Sequence, residues 1–156
     1  MDWKTLFLDA TGRIGQKDFW IGWLVLFGAG FIIGLIPIIG FLFALANLYF
    51  SICLHSKRLH DMGKTAWLLL VPFGVSLVGM AIAFALGGAA MFAGAMGGDD
   101  AAAAAGAAGG MVIFGLVFLI ILVVNIGFLL WVGLSKGDPM DNRFGPPRAQ
   151  PLVTFV

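Results

Sequence analysis

From residue 19 to residue 56 the only side chain that can carry a charge is His55, a run of 38 residues. At about 1.5 Å per residue, one helix of that length would reach nearly twice across a hydrocarbon core about 30 Å thick, so the run has to fold back on itself. The break is written in Leu35-Ile36-Pro37-Ile38-Ile39-Gly40, where Pro37 disfavours helix at Ile36 and Gly40 offers backbone freedom. The sequence predicts a first span over 19–36 and a second over 38–54, with a very tight turn between them.

Two further uncharged runs, 65–98 and 101–135, are separated only by Asp99 and Asp100. They predict spans over 66–86 and 111–134. Between them, 87–110 is rich in Ala and Gly and reads as a poorly ordered extracytoplasmic loop. The competing reading has Asp99 or Asp100 capping a helix through Ala101 to Ala105 that extends the fourth span outward. With 61% of the chain hydrophobic and 11% charged, there is too little polar surface for a soluble core of this size, against about 25% charged in ordinary soluble domains. The same numbers exclude intrinsic disorder, and a net charge of +1 gives no field for nucleic acid. The single Cys53 closes no internal disulfide.

Charge placement tests the span count. With four spans, the segments 1–18, 55–64 and 135–156 share one side, and they hold all nine Lys and Arg: Lys4, Arg13, Lys17, Lys57, Arg58, Lys64, Lys136, Arg143 and Arg148. The other side holds Asp99 and Asp100, so both termini are expected in the cytoplasm. Trp3, Trp20, Trp23, Trp67 and Trp131 fall on the same side, at the level where an indole is apolar in body and wet at its N–H. Ala44-Leu45-Ala46 has the form of a signal-cleavage site, but the apolar run before it is too long for a signal core, so no cleavage is expected. Ahead of the first span, Trp3, Leu6, Phe7 and Ala10 recur at helical spacing and predict a short interfacial helix stopped near Gly12. The expected fold is all-α: a single membrane domain over 1–156, a four-helix bundle with that N-terminal amphipathic helix. Its tail over 135–156 is irregular, interrupted by Pro139, Pro146, Pro147 and Pro151.

Three short signatures stand where the spans meet the cytoplasm. They are Gly12-Arg13-Ile14 with Phe19-Trp20; Arg58-Leu59-His60-Asp61-Met62-Gly63-Lys64 with Trp67; and Gly137 with Asn142-Arg143-Phe144-Gly145-Pro146. Together and in this order they resemble the bacterial inner-membrane family known as domain of unknown function 805. The resemblance implies a helical inner-membrane protein and no established biochemical activity. Departures from the family pattern are Gly15 for a usual Ser, Thr65-Ala66 for Ser-Gly, and Phe144 for Tyr, which removes two hydroxyl types from consideration.

If the helices bundle, Arg13, Arg58, His60, Asp61, Asn142 and Arg143 come to one level and form a polar cluster. One reading is structural: Asp61 pairs with Arg13, Arg58 or Arg143 and fixes the loops. A second is that the cluster binds a lipid headgroup phosphate, another small anion or a partner segment, since arginine forks suit phosphate. An enzyme would use His60 as acid or base with Asp61 orienting it, but no nucleophile lies nearby in sequence. A metal at His55, His60 and Asp61 would need ligands from different helix faces. A transporter or channel would rely on Asn47, Tyr49, Ser51, Ser76 and Asn125, which are better suited to contacts between helices. Gly30 and Gly34 form a small-xxx-small pair for helix packing within the chain, or secondarily in a homo-oligomer. The expected protein is a non-enzymatic membrane scaffold or binding protein with no cofactor, in contact with membrane lipids and with a second copy or another membrane protein as a further partner.

Overall fold

The computed structural model describes residues 3–146, so Arg148, Pro147 and Pro151 lie outside the described residues. Among the described residues the chain is helical, and its one isolated bridge, Asn142 with Gly145, closes a turn. The helices are α1 (Trp3–Leu8), α2 (Gln16–Gly34), α3 (Pro37–Asp61), α4 (Leu70–Ile82), α5 (Gly88–Met96) and α6 (Asp100–Leu134). A 3-10 turn, Ala66–Leu69, leads into α4, and a π-helical segment, Ala83–Gly87, joins α4 to α5. Four stretches are long and apolar enough to cross a membrane: Gln16–Gly34, Pro37–Asp61, Ala66–Met96 and Asp100–Leu134. Most of their large side chains face outward, which in water would be untenable and in lipid is the expected state. The chain divides into two compact units, Met1–Leu69 with Leu130–Val156, and Leu70–Leu129.

In the first unit α2 and α3 form an antiparallel hairpin. Ile36 is extended (φ −100°, ψ 109°) and Pro37 occupies the first turn of α3, where its missing N–H costs nothing. Gly40 plays a different part from the one its sequence context suggests. It is helical, and a Cβ there would stand 2.9 Å from both Gly34 Cα and the Ile33 carbonyl, so it permits close approach of α2 and not backbone freedom. Gly22 likewise admits Leu54 and Leu6, and Gly30 admits the Asn47 amide. Leu6, Phe19, Leu26, Cys53, Leu54, Leu59 and Val132 are the buried apolar centre of this unit.

α1 packs on α3 through Leu6, the Phe7–Phe50 ring contact (5.9 Å) and the Tyr49 hydroxyl, which donates to the Leu8 carbonyl. The buried Lys57 donates to the Thr5 carbonyl. Beyond α1, the Thr11 N–H and hydroxyl both donate to Asp9 and hold its carboxyl below the usual range. Gly12 then turns the chain with φ +83°, in the left-handed region that glycine tolerates.

Two expected boundaries move. α3 runs on to Asp61, so 55–61 is helix and not loop. Its end is a Schellman motif: Gly63, at φ +69°, donates to the His60 carbonyl and Lys64 donates to Leu59.

The second correction concerns 87–110, expected to be a poorly ordered loop. It is helical on both sides of a turn at Gly97 and Gly98, and the second unit is a helical hairpin of α4, the π segment and α5 against α6. Asp99 caps α6, accepting from Ala102 N–H at 2.6 Å. Alanine favours helix intrinsically, and the glycines that argue against it in water serve as contact points. A Cβ on Gly94 would stand 2.6 Å from the Ala102 carbonyl and 2.7 Å from Gly106 Cα.

The contact line of this hairpin also explains the π segment. Gly79 faces Val117 and Ile121, Gly87 faces Phe114 and Gly110, and Gly94 faces Gly106. Gly79 and Gly87 are eight residues apart, which in a regular α-helix would rotate Gly87 about 80° off the line. The wider π turn absorbs one residue and returns Gly87 to the seam.

Candidate functional site

The polar residues converge at the end of the first unit where α2 begins, and α3 and α6 finish. Asp61, on the last turn of α3, places one carboxylate oxygen 3.1 Å from Arg13 Nε and the other on Arg58 Nη1. Arg58 precedes it by three residues on the same helix face, a spacing that brings the two side chains together. All three are enclosed: Arg58 is 1%, Asp61 6% and Arg13 9% exposed.

Every N–H of Arg13 has an acceptor. Nε donates to Asp61, Nη1 to the carbonyls of Met140 (3.0 Å) and Gly145 (3.1 Å), and Nη2 to those of Asp61 (3.3 Å) and Asp138. Arg58 donates to the carbonyls of Val132 (3.1 Å), Ile14 (3.4 Å) and Ser135 as well as to Asp61. The carbonyl of Asp61 also accepts from Asp138 N–H at 2.7 Å.

These donors answer a specific problem, because the last four carbonyls of a helix have no partner inside it. In α6, Trp131 O accepts from Ser135, Val132 O from Arg58, Gly133 O from the Trp20 indole (3.2 Å) and Leu134 O from Gln16 (2.8 Å). Trp20 therefore caps α6. Gly133 makes room for it, since a Cβ there would stand 2.5 Å from the indole ring.

The helix ends act on the charges in the same place. Two arginines and one carboxylate carry +1, the C-termini of α3 and α6 that face them each contribute about −0.5, and the N-terminus of α2 adds about +0.5, so the C-termini offset part of the arginines' charge. Gly137 lies against the carboxylate so closely that a Cβ there would collide with Asp61 Oδ2.

The other three residues of the expected cluster sit beside this clasp. His60 is half-buried, its Nδ1 is 3.3 Å from the Gly12 carbonyl, and its ring stacks on Phe144 at 3.8 Å. Asn142 donates to the His60 carbonyl at 3.0 Å and, through Oδ1, accepts from Phe144 N–H, holding the turn that Gly145 completes. Arg143 is exposed, with its guanidinium 4.7 Å from the Phe144 ring. Asp61 thus pairs with Arg13 and Arg58, and faces neither His60 nor Arg143 in any bond described above. His55 faces elsewhere, with Nδ1 2.8 Å from the Ser51 carbonyl and its ring edge-on to Phe19. Among the described residues no group of three or more His, Cys, Asp or Glu is placed to hold a metal ion.

Gln16, Trp20, Lys57 and Ser135 were not singled out by sequence as members of this cluster. Their partners are backbone carbonyls, which leave no mark in a residue pattern. The polar residues within the spans are also engaged with helix backbone. Asn47 donates to Leu26 O, Asn125 to Ser76 Oγ (3.1 Å) and Ile121 O, and Ser76 to Pro72 O.

Neither the curated proteins nor the solved structures include a match to this chain. A family model does match, described as a protein of unknown function (DUF805), over residues 7–146, a range that takes in all three signatures and every member of the clasp. With most of its length matched and four apolar helices able to cross a bilayer, this multi-pass membrane protein belongs to the DUF805 family.

Proposed function

We propose that the protein is a non-enzymatic scaffold or binding protein of the bacterial inner membrane, with both termini in the cytoplasm and the Arg13–Asp61–Arg58 clasp on the cytoplasmic side. The observation that carries this reading is the consumption of the clasp by the protein itself. Every N–H of Arg13 and four donor contacts of Arg58 are committed to carbonyls and to Asp61. A site built to grip a phosphate keeps donors facing outward. A site built to hold helices together turns them inward, as here.

The fall of all nine Lys and Arg within the sequence segments 1–18, 55–64 and 135–156 supports cytoplasmic termini. α1, with Trp3 and Leu8 exposed beside a buried Leu6, suits the boundary of the inner leaflet. His60 as a general base lacks an orienting carboxylate, because Asp61 is held by two guanidiniums.

The test combines topology and chemistry. A cytoplasmic reporter fused after residue 156 should be active. After Cys53→Ser, a cysteine introduced at the exposed Asp100 should react with an impermeant reagent applied from outside. His60→Ala should leave the protein's cellular role intact, whereas Asp61→Asn should abolish it by lowering the folded amount. A silent reporter, a protected position 100, or a role lost in His60→Ala at normal protein level would overturn the proposal.

A further inference from the structure

With Arg13, Arg58 and Lys57 buried and bonded, binding of an anionic lipid has to use another cation. Resting on the reading of this end as cytoplasmic, we propose that Lys64, held over the Trp131 ring, binds the phosphate of an anionic phospholipid of the inner leaflet.

Lys64 is exposed, but both ends of the residue are fixed. Its N–H donates to Leu59 O at 2.8 Å in the turn that Gly63 makes, and its Nζ stands 5.6 Å from the centroid of the Trp131 ring. A cation held in place before the ligand arrives loses less side-chain freedom on binding than a free lysine does. The nearest carboxylate in sequence, Asp61, is enclosed between its two arginines.

The surroundings match the rest of a phospholipid. Trp131 is 41% and Trp67 76% exposed, and indoles favour the headgroup level, where the ring meets the glycerol region and the N–H meets water. Leu134, one turn beyond Trp131 on α6, is exposed beside it and offers an apolar surface for the first methylenes of an acyl chain. Lys136 and Lys17 are also exposed, but neither is described with an aromatic ring beneath it. They serve as controls for charge alone.

The experiment uses the full chain in nanodiscs of phosphatidylcholine doped with phosphatidylglycerol, with bound lipid counted by native mass spectrometry after release. Wild type should retain phosphatidylglycerol in preference to phosphatidylcholine. Lys64→Gln and Trp131→Leu should each reduce that preference, Lys64→Gln by about fivefold, the contribution of one cation at a membrane surface. Lys136→Gln should change it by less than half as much. Each variant is scored at an unfolding midpoint matching wild type, and Trp67→Leu replaces any variant that fails this. Equal losses in Lys64→Gln and Lys136→Gln would reduce the effect to general charge and overturn the site. So would equal retention of both lipids. Displacement of phosphatidylglycerol by millimolar inorganic phosphate would make the ligand a free anion and overturn the lipid assignment. A failed reporter test, by contrast, removes the cytoplasmic placement while leaving the lipid count to stand or fall alone.

Discussion

Asp61→Asn removes one charge from the clasp while keeping the shape of the side chain. The two carboxylate oxygens accept from two different arginines, so in the amide an NH2 group has to face a guanidinium N–H inside a region where the residue is 6% exposed. The cluster gains one unit of positive charge that the helix ends do not offset. Removing one partner of a buried ion pair costs about 3–5 kcal/mol, a large part of the roughly 5–15 kcal/mol that holds a domain together. At about 2–4 °C per kcal/mol for a chain of this length, the unfolding midpoint should fall by about 6–20 °C. Tryptophan fluorescence during a thermal ramp in detergent reads this directly. Combining Asp61→Asn with Arg58→Met should cost less than the two single changes added together, because the residues act on each other. A shift under about 2 °C, or strict additivity, would refute the clasp as the element that holds this end of the helices.

Two further outcomes follow from close packing. Gly137→Ala, which drives a methyl group into the Asp61 carboxylate, should cost about 1–3 kcal/mol, with Gly28→Ala inside α2, whose Cβ meets nothing within 4 Å, as the control that loses no stability in the same thermal assay. Deleting Ala85 should convert the π segment to regular helix with the glycines now numbered 79 and 87 seven residues apart, and so be tolerated; deleting Ala89 should move Gly94 off the seam and lower the yield of folded protein in size-exclusion chromatography.

The parts of the fold that depend on neighbours in sequence were legible. Pro37 fixes the break at Ile36 through a local clash, and Arg58 with Asp61 lies at a spacing that any helix brings together. What depends on distant backbone was not. Gly40 looks like a flexible joint until Gly34 is placed against it, and the partners of Gln16, Trp20 and Lys57 are carbonyls on other segments. The Ala/Gly stretch misleads for a related reason. Glycine weakens an isolated helix in water but lets two helices touch in lipid, so the same composition has opposite meanings in the two solvents. Within the candidate site, the identities of Arg13, Arg58 and Asp61 could be read from their position at the span ends. The inward direction of their hydrogen bonds could not.

The clasp draws on residues near 13, near 60 and between 132 and 145, so five of its acceptor carbonyls, those of Val132, Ser135, Asp138, Met140 and Gly145, are made last. During synthesis both arginines leave the ribosome and reach the bilayer surface well before the carbonyls that complete them. Until then Asp61 can hold both guanidiniums, but their remaining N–H groups must be solvated by water or lipid. Closure therefore coincides with arrival of the final helix and its exit loop, which makes it a physical signal that insertion is finished and leaves chains truncated within that loop open to proteolysis.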